Sequence, residues 1–420
     1  MRCIIVGLHA AGRSACEWLR RAAPDAEIIG VDPEPGPPYA RPLISYVLGR
    51  EIDPKAMEVA DDSWFTRRGV SVFPERAASL DPNRKLLVLA SGRELAYDRL
   101  LLACGATPRP VAVAGNAASE VCYFRGRGDL ARVLERVKPG GVAAVLGGGL
   151  VGFKLAMGLL KRGMRVKLLV TSPRPLALNV DEEVGEWAGQ QLGATSGLEL
   201  RTRAEVRAVD HIPGGGFRLT LADGSFADVD LVAAGKGVVP ELGWLTQSGL
   251  KAKDGLLVDG LLQTNAPEVY AAGDLAEAMD IVHETPRINA IWPMAVEQGR
   301  VAALNMAGVR SPYDGALAMN AIVLFGQQMV SVGAVNPRFT GDAEQVVCQT
   351  RRGTYLKLVF REGRLIGAIG LNAAPRLGEL AWGIRRRLKP CDIPAAWRRS
   401  PENAAPLADK SGFAARNVRL

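Results

Sequence analysis

Two glycine-rich runs are the residues of this chain whose types and spacing are best suited to chemistry. Gly7-Leu8-His9-Ala10-Ala11-Gly12 follows the apolar residues 3–6, and Gly147-Gly148-Gly149-Leu150-Val151-Gly152 follows residues 142–146. Each run reads as a buried strand, a glycine turn and a helix start. That unit sets a dinucleotide diphosphate on backbone N–H groups at the positive end of a helix. Two such units imply two dinucleotides. A flavin dinucleotide and a nicotinamide dinucleotide are the pair that would let electrons pass between them.

Around the first run, Asp32 stands 20 residues after Gly12, where a carboxylate can accept from a ribose hydroxyl, and Glu34 competes for that role. After the second run the sequence reads Val170-Thr171-Ser172-Pro173-Arg174, with no acid before Asp181. Ser172 and Arg174 are suited to a 2′-phosphate, so the pattern leaves NAD and NADP both open. The six cysteines, Cys3, Cys16, Cys104, Cys122, Cys348 and Cys391, are too scattered to form a C-x-x-C pair. No metal set, iron–sulfur set or redox disulfide is legible in them, and buried thiols are expected at Cys3 and Cys104.

The elements that must position these groups follow from apolar runs and breakers. The chain has 420 residues, 48% of them hydrophobic and 23% charged, enough for two or three domains. A helix is expected over 14–21 and strands over 27–31 and 100–103. Residues 86–97 read as a hairpin. A second helix runs from about 151 to 162 and stops at Gly163, and a strand follows at 166–170. Residues 207–221 read as another hairpin, and 231–234 as a buried strand. Residues 256–259 and 269–272 read as closing strands of the first domain. Four strands fall within 321–369, and a helix lies near 377–388. The fold expected is α/β: two Rossmann-like dinucleotide-binding domains, for FAD and NAD, plus a small α+β C-terminal domain. The first domain is discontinuous, 1–110 and 241–312. The NAD(P) domain spans 111–240, an interface domain 313–385 and a tail 386–420.

The net charge of +8 partly collects in Arg385-Arg386-Arg387 and Arg398-Arg399. Such a face can steer an acidic protein, whereas nucleic-acid binding lacks the interleaved aromatics that stack bases. No apolar run is long enough to cross a bilayer, and Arg2 leads directly into a strand, so a cytoplasmic protein is expected.

In order, GLHAAG, LLACGATPRP, LGGGLVGFK, the run from Gly255 to Asp274 and IWPMAVEQGR resemble the flavoprotein pyridine-nucleotide oxidoreductases, over roughly residues 1–375. The resemblance implies an FAD site of Gly7, His9, Ala11, Gly12, Asp32, Glu34, Arg41, Pro42, Ala103, Gly105, Gly273, Asp274, Trp292 and Pro293. Within it, Asp274 would bond the ribityl chain. The helix opened by Trp292 and Pro293 would face the pyrimidine end of the flavin, although Trp292 also suits core packing. His9 replaces a usual glycine and is expected to be packed or water-bonded. Gly147, Gly149, Leu150, Val151, Gly152, Ser172, Arg174, Gly235 and Gly237 would hold NAD, taken here by resemblance over NADP.

Departures from the family pattern narrow the chemistry. The stretch Pro42-Leu43-Ile44-Ser45-Tyr46 has no thiol where disulfide reductases carry a pair and NADH peroxidases and coenzyme A-disulfide reductases carry one. It resembles the ferredoxin and rubredoxin reductase branch. There the resemblance implies a lysine at Tyr46 paired with a glutamate at Lys154, so both members are replaced here. Lys154 would tune the flavin potential, and a solvent-facing helix lysine is the plainer reading. The chain also resembles the flavin subunits of tungsten aldehyde oxidoreductase and phenylglyoxylate dehydrogenase. An iron–sulfur protein, or iron–sulfur and tungsten sister subunits, is the implied partner. A stand-alone reductase, an NADH oxidase and a flavin-binding scaffold are the alternatives.

Overall fold

The computed structural model describes residues 1–34, 36–336, 344–349, 354–372 and 377–393. Pro35, Arg398, Arg399 and most of the expected tail lie outside the described residues. The chain divides into two compact units. One comprises Met1–Thr171 and Gly197–Ala316, the other Ser172–Ser196 and Leu317–Leu420.

The first unit holds two five-stranded parallel sheets. One runs Val269–Ala271, Arg99–Leu102, Arg2–Val6, Glu27–Val31, Val70–Phe73. The other runs Leu198–Thr202, Arg165–Val170, Val142–Leu146, Leu231–Ala234, Cys122–Tyr123. Both central strands are almost wholly buried, as parallel strands covered on two faces must be, and that burial explains their unbroken apolar runs. Each strand feeds its glycine turn into a helix, Ala10–Ala22 in the first sheet and Leu150–Lys161 in the second. The first helix therefore begins a turn before the expected 14–21. The long helix Trp292–Met306 packs against it, and the Ser14 hydroxyl donates to the Val296 carbonyl at 2.7 Å.

Both expected hairpins form, and each gains a third strand that its short, mixed sequence hid. Ala77–Asp81 joins Leu86–Leu89 and Glu94–Ala96, and Phe226–Val229 joins Val206–His211 and Phe217–Leu221. One expectation is corrected. Only Val269–Ala271 closes the first sheet, while Leu256–Leu257 pairs with Ala276–Asp280 in a separate sheet. Buried Glu277 explains this: its Oε2 accepts from the Asp254 and Gly255 N–H groups, each at 3.0 Å, and pins that segment to its own strand.

The second unit is a five-stranded antiparallel sheet: Met319–Leu324, Gln327–Gly333, Arg364–Leu371, Tyr355–Arg361, Glu344–Gln349. The helix Leu377–Arg385 packs on it. The segment Ser172–Ser196, with the helix Glu182–Gly193, belongs to this unit for a polar reason. Asp181 is 0% exposed, caps that helix and receives the Tyr355 hydroxyl. Lys357, 4% exposed, lies 3.2 Å from Asp181 Oδ2. A buried carboxylate and a buried ammonium tolerate this depth only when paired.

Candidate functional site

The two glycine turns are closely alike in backbone. Gly7 has φ +90° and Gly147 φ +119°, angles that a side chain disfavours. Gly7 N–H donates to Val31 O at 2.8 Å, and Gly147 N–H to Leu169 O at 2.9 Å, so each turn leans on the next strand. A Cβ on Gly12 would stand 1.7 Å from Gly7 O, and one on Gly152 1.9 Å from Gly147 O. Neither helix has an acid in its first turn or a side-chain cap on its first N–H groups, and the same holds for Trp292–Met306. By contrast, Glu182–Gly193 carries an aspartate cap and two acids. Unneutralised helix starts are what an anionic ligand requires.

Around the first turn, Asp32 is buried and braces the backbone. Leu8 N–H donates to Oδ2 at 2.6 Å and Glu34 N–H to Oδ1 at 2.8 Å. Glu34 collects the side-chain donors: Tyr39 OH at 2.5 Å, Arg41 Nη2 at 2.6 Å and His9 Nε2 at 2.8 Å. Burial opposes ionisation of Glu34, but the His9 hydrogen bond, the Arg41 charge and the Tyr39 hydroxyl together hold its carboxyl down at about 2. His9 also meets the Tyr39 ring edge-on at 5.1 Å, so the expected packed histidine is a bonded one. Arg41 and Pro42 sit in a short 3-10 turn, Arg41–Leu43. Ala103 N–H donates to Val6 O at 2.7 Å, and Gly105 takes φ +75°. Ala11 is buried in the first helix.

Just past the strand Val269–Ala271, Gly273 N–H donates to Gln298 Oε1 at 2.7 Å, tying the turn before Asp274 to the long helix. Asp274 Oδ2 accepts from Arg125 Nη2 at 2.7 Å, and Arg125 Nε donates to Ala106 O at 2.7 Å. Sequence reading missed Arg125. Its only signal is an arginine just ahead of a helix, far in sequence from the acid it meets. Trp292 is half-buried and Pro293 exposed at the start of the long helix, Pro293 where a missing N–H costs nothing.

Around the second turn, Leu150 and exposed Val151 open the helix behind Gly149. Gly235 N–H donates to Leu146 O at 2.9 Å, and Gly237 O accepts from Arg109 N–H at 2.9 Å. Between them, Lys236 is a further cation missed from sequence, its ammonium lowered by burial. In the other unit, the Ser172 hydroxyl donates to Arg174 O at 2.7 Å, and Arg174 Nη1 lies 3.5 Å from Glu182 Oε1.

Tyr46 and Lys154 meet. Tyr46 lies in the helix Ile44–Leu48, and Lys154 Nζ stands 4.6 Å from its ring centroid, within cation–π range. Arg162 holds the two helices together, donating to Leu48 O at 2.7 Å and Val47 O at 3.1 Å. Cys3, Cys16, Cys104, Cys122 and Cys391 are free. Burial pushes the Cys3 thiol up to about 11 and those of Cys16 and Cys104 up to about 12. Among the described residues no cluster could hold a metal, and no helix is long and apolar enough to cross a membrane.

Two strand–turn–helix dinucleotide units in one chain define a two-nucleotide oxidoreductase. Residues 1–299 match the pyridine nucleotide-disulphide oxidoreductase family, and the chain belongs to it. It is an FAD-dependent NAD(P)H oxidoreductase that binds FAD and a pyridine nucleotide. It is 31% identical to subunit epsilon of NADH-dependent phenylglyoxylate dehydrogenase from Aromatoleum evansii, over 91% of each chain. It is 28% identical to rubredoxin–NAD(+) reductase from Pseudomonas putida, over 92% of this chain and 99% of that one. Putidaredoxin reductase in its covalent complex with putidaredoxin shares the fold, with TM-score 0.84 and 23% identity over 92% and 94% of the two chains. The residues present fit FAD: the first turn leaves no room for a Cβ at Gly12, and His9 Nδ1 and Arg13 Nε are buried without partners.

Proposed function

We propose that this chain passes electrons between NAD(H) and an external iron–sulfur protein or subunit, as the FAD- and NAD-binding member of a larger redox complex. The observation that carries it is the Tyr46–Lys154 contact at 4.6 Å, at the end of the stretch 42–46 where a redox thiol would otherwise provide an exit for electrons. The names of two relatives, a phenylglyoxylate dehydrogenase subunit and a rubredoxin–NAD(+) reductase, support it. So does the net charge of +8, which suits an acidic acceptor. Residues 1–110 and 241–312 form the FAD domain in this reading, 111–240 the NAD(P) domain and 313–385 an interface. The 99% coverage of rubredoxin–NAD(+) reductase favours a second reading, a stand-alone reductase of a diffusing carrier.

Bound FAD supplies hydride acceptance and one-electron release. This chain's residues do the rest. The glycine turns seat the two diphosphates on helix N–H groups. Asp274, oriented by Arg125, offers its free Oδ1 to a hydroxyl of the flavin side chain. The start of Trp292–Met306 presents an uncapped positive end that stabilises negative charge on reduction. Lys154, held over Tyr46, adds a full positive charge to the same effect.

NADH oxidation measured anaerobically with rubredoxin or ferredoxin, and separately with oxygen alone, tests this. Turnover with an iron–sulfur acceptor should exceed that with oxygen, survive thiol alkylation and fall with rising salt if the carrier diffuses. A sister subunit, iron–sulfur or tungsten, should instead co-elute from the native cytoplasm. Oxygen turnover matching every protein acceptor would defeat the proposal.

A further inference from the structure

Aligned on their glycines, the two turns place His9 where the second carries Gly149, and both residues are the N-cap of the following helix. A side chain at this position stands beside the backbone that carries the diphosphate, where a glycine normally allows close approach. An imidazole there either obstructs the ligand or binds it.

The ring is fixed on one side. Its Nε2 lies 2.8 Å from Glu34 Oε2, and Glu34 is ionised, held down at about 2, so it can only accept. The hydrogen of that bond therefore belongs to Nε2. Tyr39 borders the ring edge-on, Arg41 shares the Glu34 carboxylate, and the Arg13 N–H donates to the His9 carbonyl at 2.7 Å. Asp32 bonds the backbone of the same turn, and Arg127 stands 4.4 Å over the Tyr39 ring. The other imidazole nitrogen, Nδ1, is buried and has no partner. Glu34 follows the second strand, on the side where ribose is read. Nδ1 is the ring nitrogen nearer the backbone of the turn. Arg13 Nε, one helical turn on, is likewise buried without a partner.

We propose that His9 is a cofactor ligand in its own right: its Nδ1–H donates to the diphosphate of FAD, the ring being an imidazolium in the complex with Glu34 as counter-ion. The proposal rests on reading the first turn as the FAD site. No electrons move. The proton on Nδ1 comes from solvent, and the second turn, with Gly149, has no equivalent.

The test uses the full chain, stripped of FAD and reloaded. The chain has three histidines, so ¹⁵N-histidine spectra are simple, and His9→Gln assigns the His9 signals. At about pH 8, above the ordinary imidazole range, both His9 nitrogens should be protonated in the FAD-bound chain. His9→Ala should raise the FAD dissociation constant about tenfold by flavin fluorescence, ~1.4 kcal/mol, with His9→Gln, a neutral donor, in between. A neutral His9 ring in the bound chain, or unchanged FAD affinity in His9→Ala, would overturn the proposal while leaving the FAD site standing. A wild-type chain that fails to rebind FAD would overturn both.

Discussion

The two glycine turns share a backbone and differ in everything the backbone does not dictate. Both lean on the neighbouring strand through the first glycine N–H, at 2.8 and 2.9 Å, and both exclude a Cβ at the last glycine. Around the first, Asp32, Glu34, Tyr39, Arg41 and His9 form one bonded network. Around the second, the strand ends at Val170 with no acid, and the half-buried cation Lys236 stands between two glycines. Two residues past the last glycine, Ser14 is buried and bonded to the long helix, whereas Lys154 reaches out to Tyr46. In the proposed reading each turn seats a diphosphate, and the side chains around it are what would separate a site that retains a cofactor from one that exchanges a substrate.

The largest effect should come from breaking one turn at a time. Gly152→Ala forces a Cβ to within 1.9 Å of a carbonyl oxygen that belongs to the turn itself, so the backbone must move. The purified variant should stay yellow with FAD while its affinity for NADH falls about a thousandfold, ~4 kcal/mol, by stopped-flow flavin reduction. Gly12→Ala, at 1.7 Å, should give a colourless protein. Loss of FAD from Gly152→Ala, with circular dichroism unchanged, would remove the division of labour between the turns.

This contrast was legible from sequence only in part. The strands Glu27–Val31 and Leu231–Ala234 were bounded correctly because unbroken apolar runs must be buried. The third strands beside the hairpins, Ala77–Asp81 and Phe226–Val229, were not, since four or five mixed residues carry no period. Glu34 and Asp32 looked interchangeable; only the fold shows that one binds backbone and the other side chains. Arg125 and Asp274 are 149 residues apart, and no local spacing announces their bond. Ser172–Ser196 groups with the C-terminal sheet through Asp181 and Lys357, two charges that read on their own as surface.

A smaller effect should sharpen the comparison at the paired positions Ser14 and Lys154. A unit charge at about 5 Å, with an effective dielectric of about 20, is worth ~3 kcal/mol before solvent screening. For a two-electron couple that is on the order of 60 mV, and half-burial of Lys154 reduces it. Lys154→Glu should lower the flavin midpoint potential by tens of millivolts and slow reduction by NADH, with FAD affinity unchanged. Lys154→Met should fall between. An unchanged potential together with unchanged reduction kinetics would return Lys154 to an ordinary helix surface.

The smallest effect concerns acid, and it should touch only the first turn. Glu34 ionises at about 2 in the folded chain against an ordinary 4.5. A carboxyl depressed by folding stabilises fully above its unfolded value, and that contribution is lost as pH falls from about 4.5 towards 2. The shift sets an upper bound of about 3 kcal/mol, and partial exposure of Glu34 lowers it to about 1–2. Glu34→Gln removes the titrating group and leaves Arg41 and His9 without their acceptor. At pH 7 the variant should unfold at lower denaturant than wild type. Between pH 4.5 and 3 the two curves should converge, because wild type loses there what the variant never had. The second turn has no acid to protonate, so NADH affinity should track overall folding and show no step of its own in that window. A stability difference that stays constant from pH 7 to pH 3, followed by chemical denaturation with flavin fluorescence, would mean that the network around His9 and Arg41 does not hold Glu34 ionised.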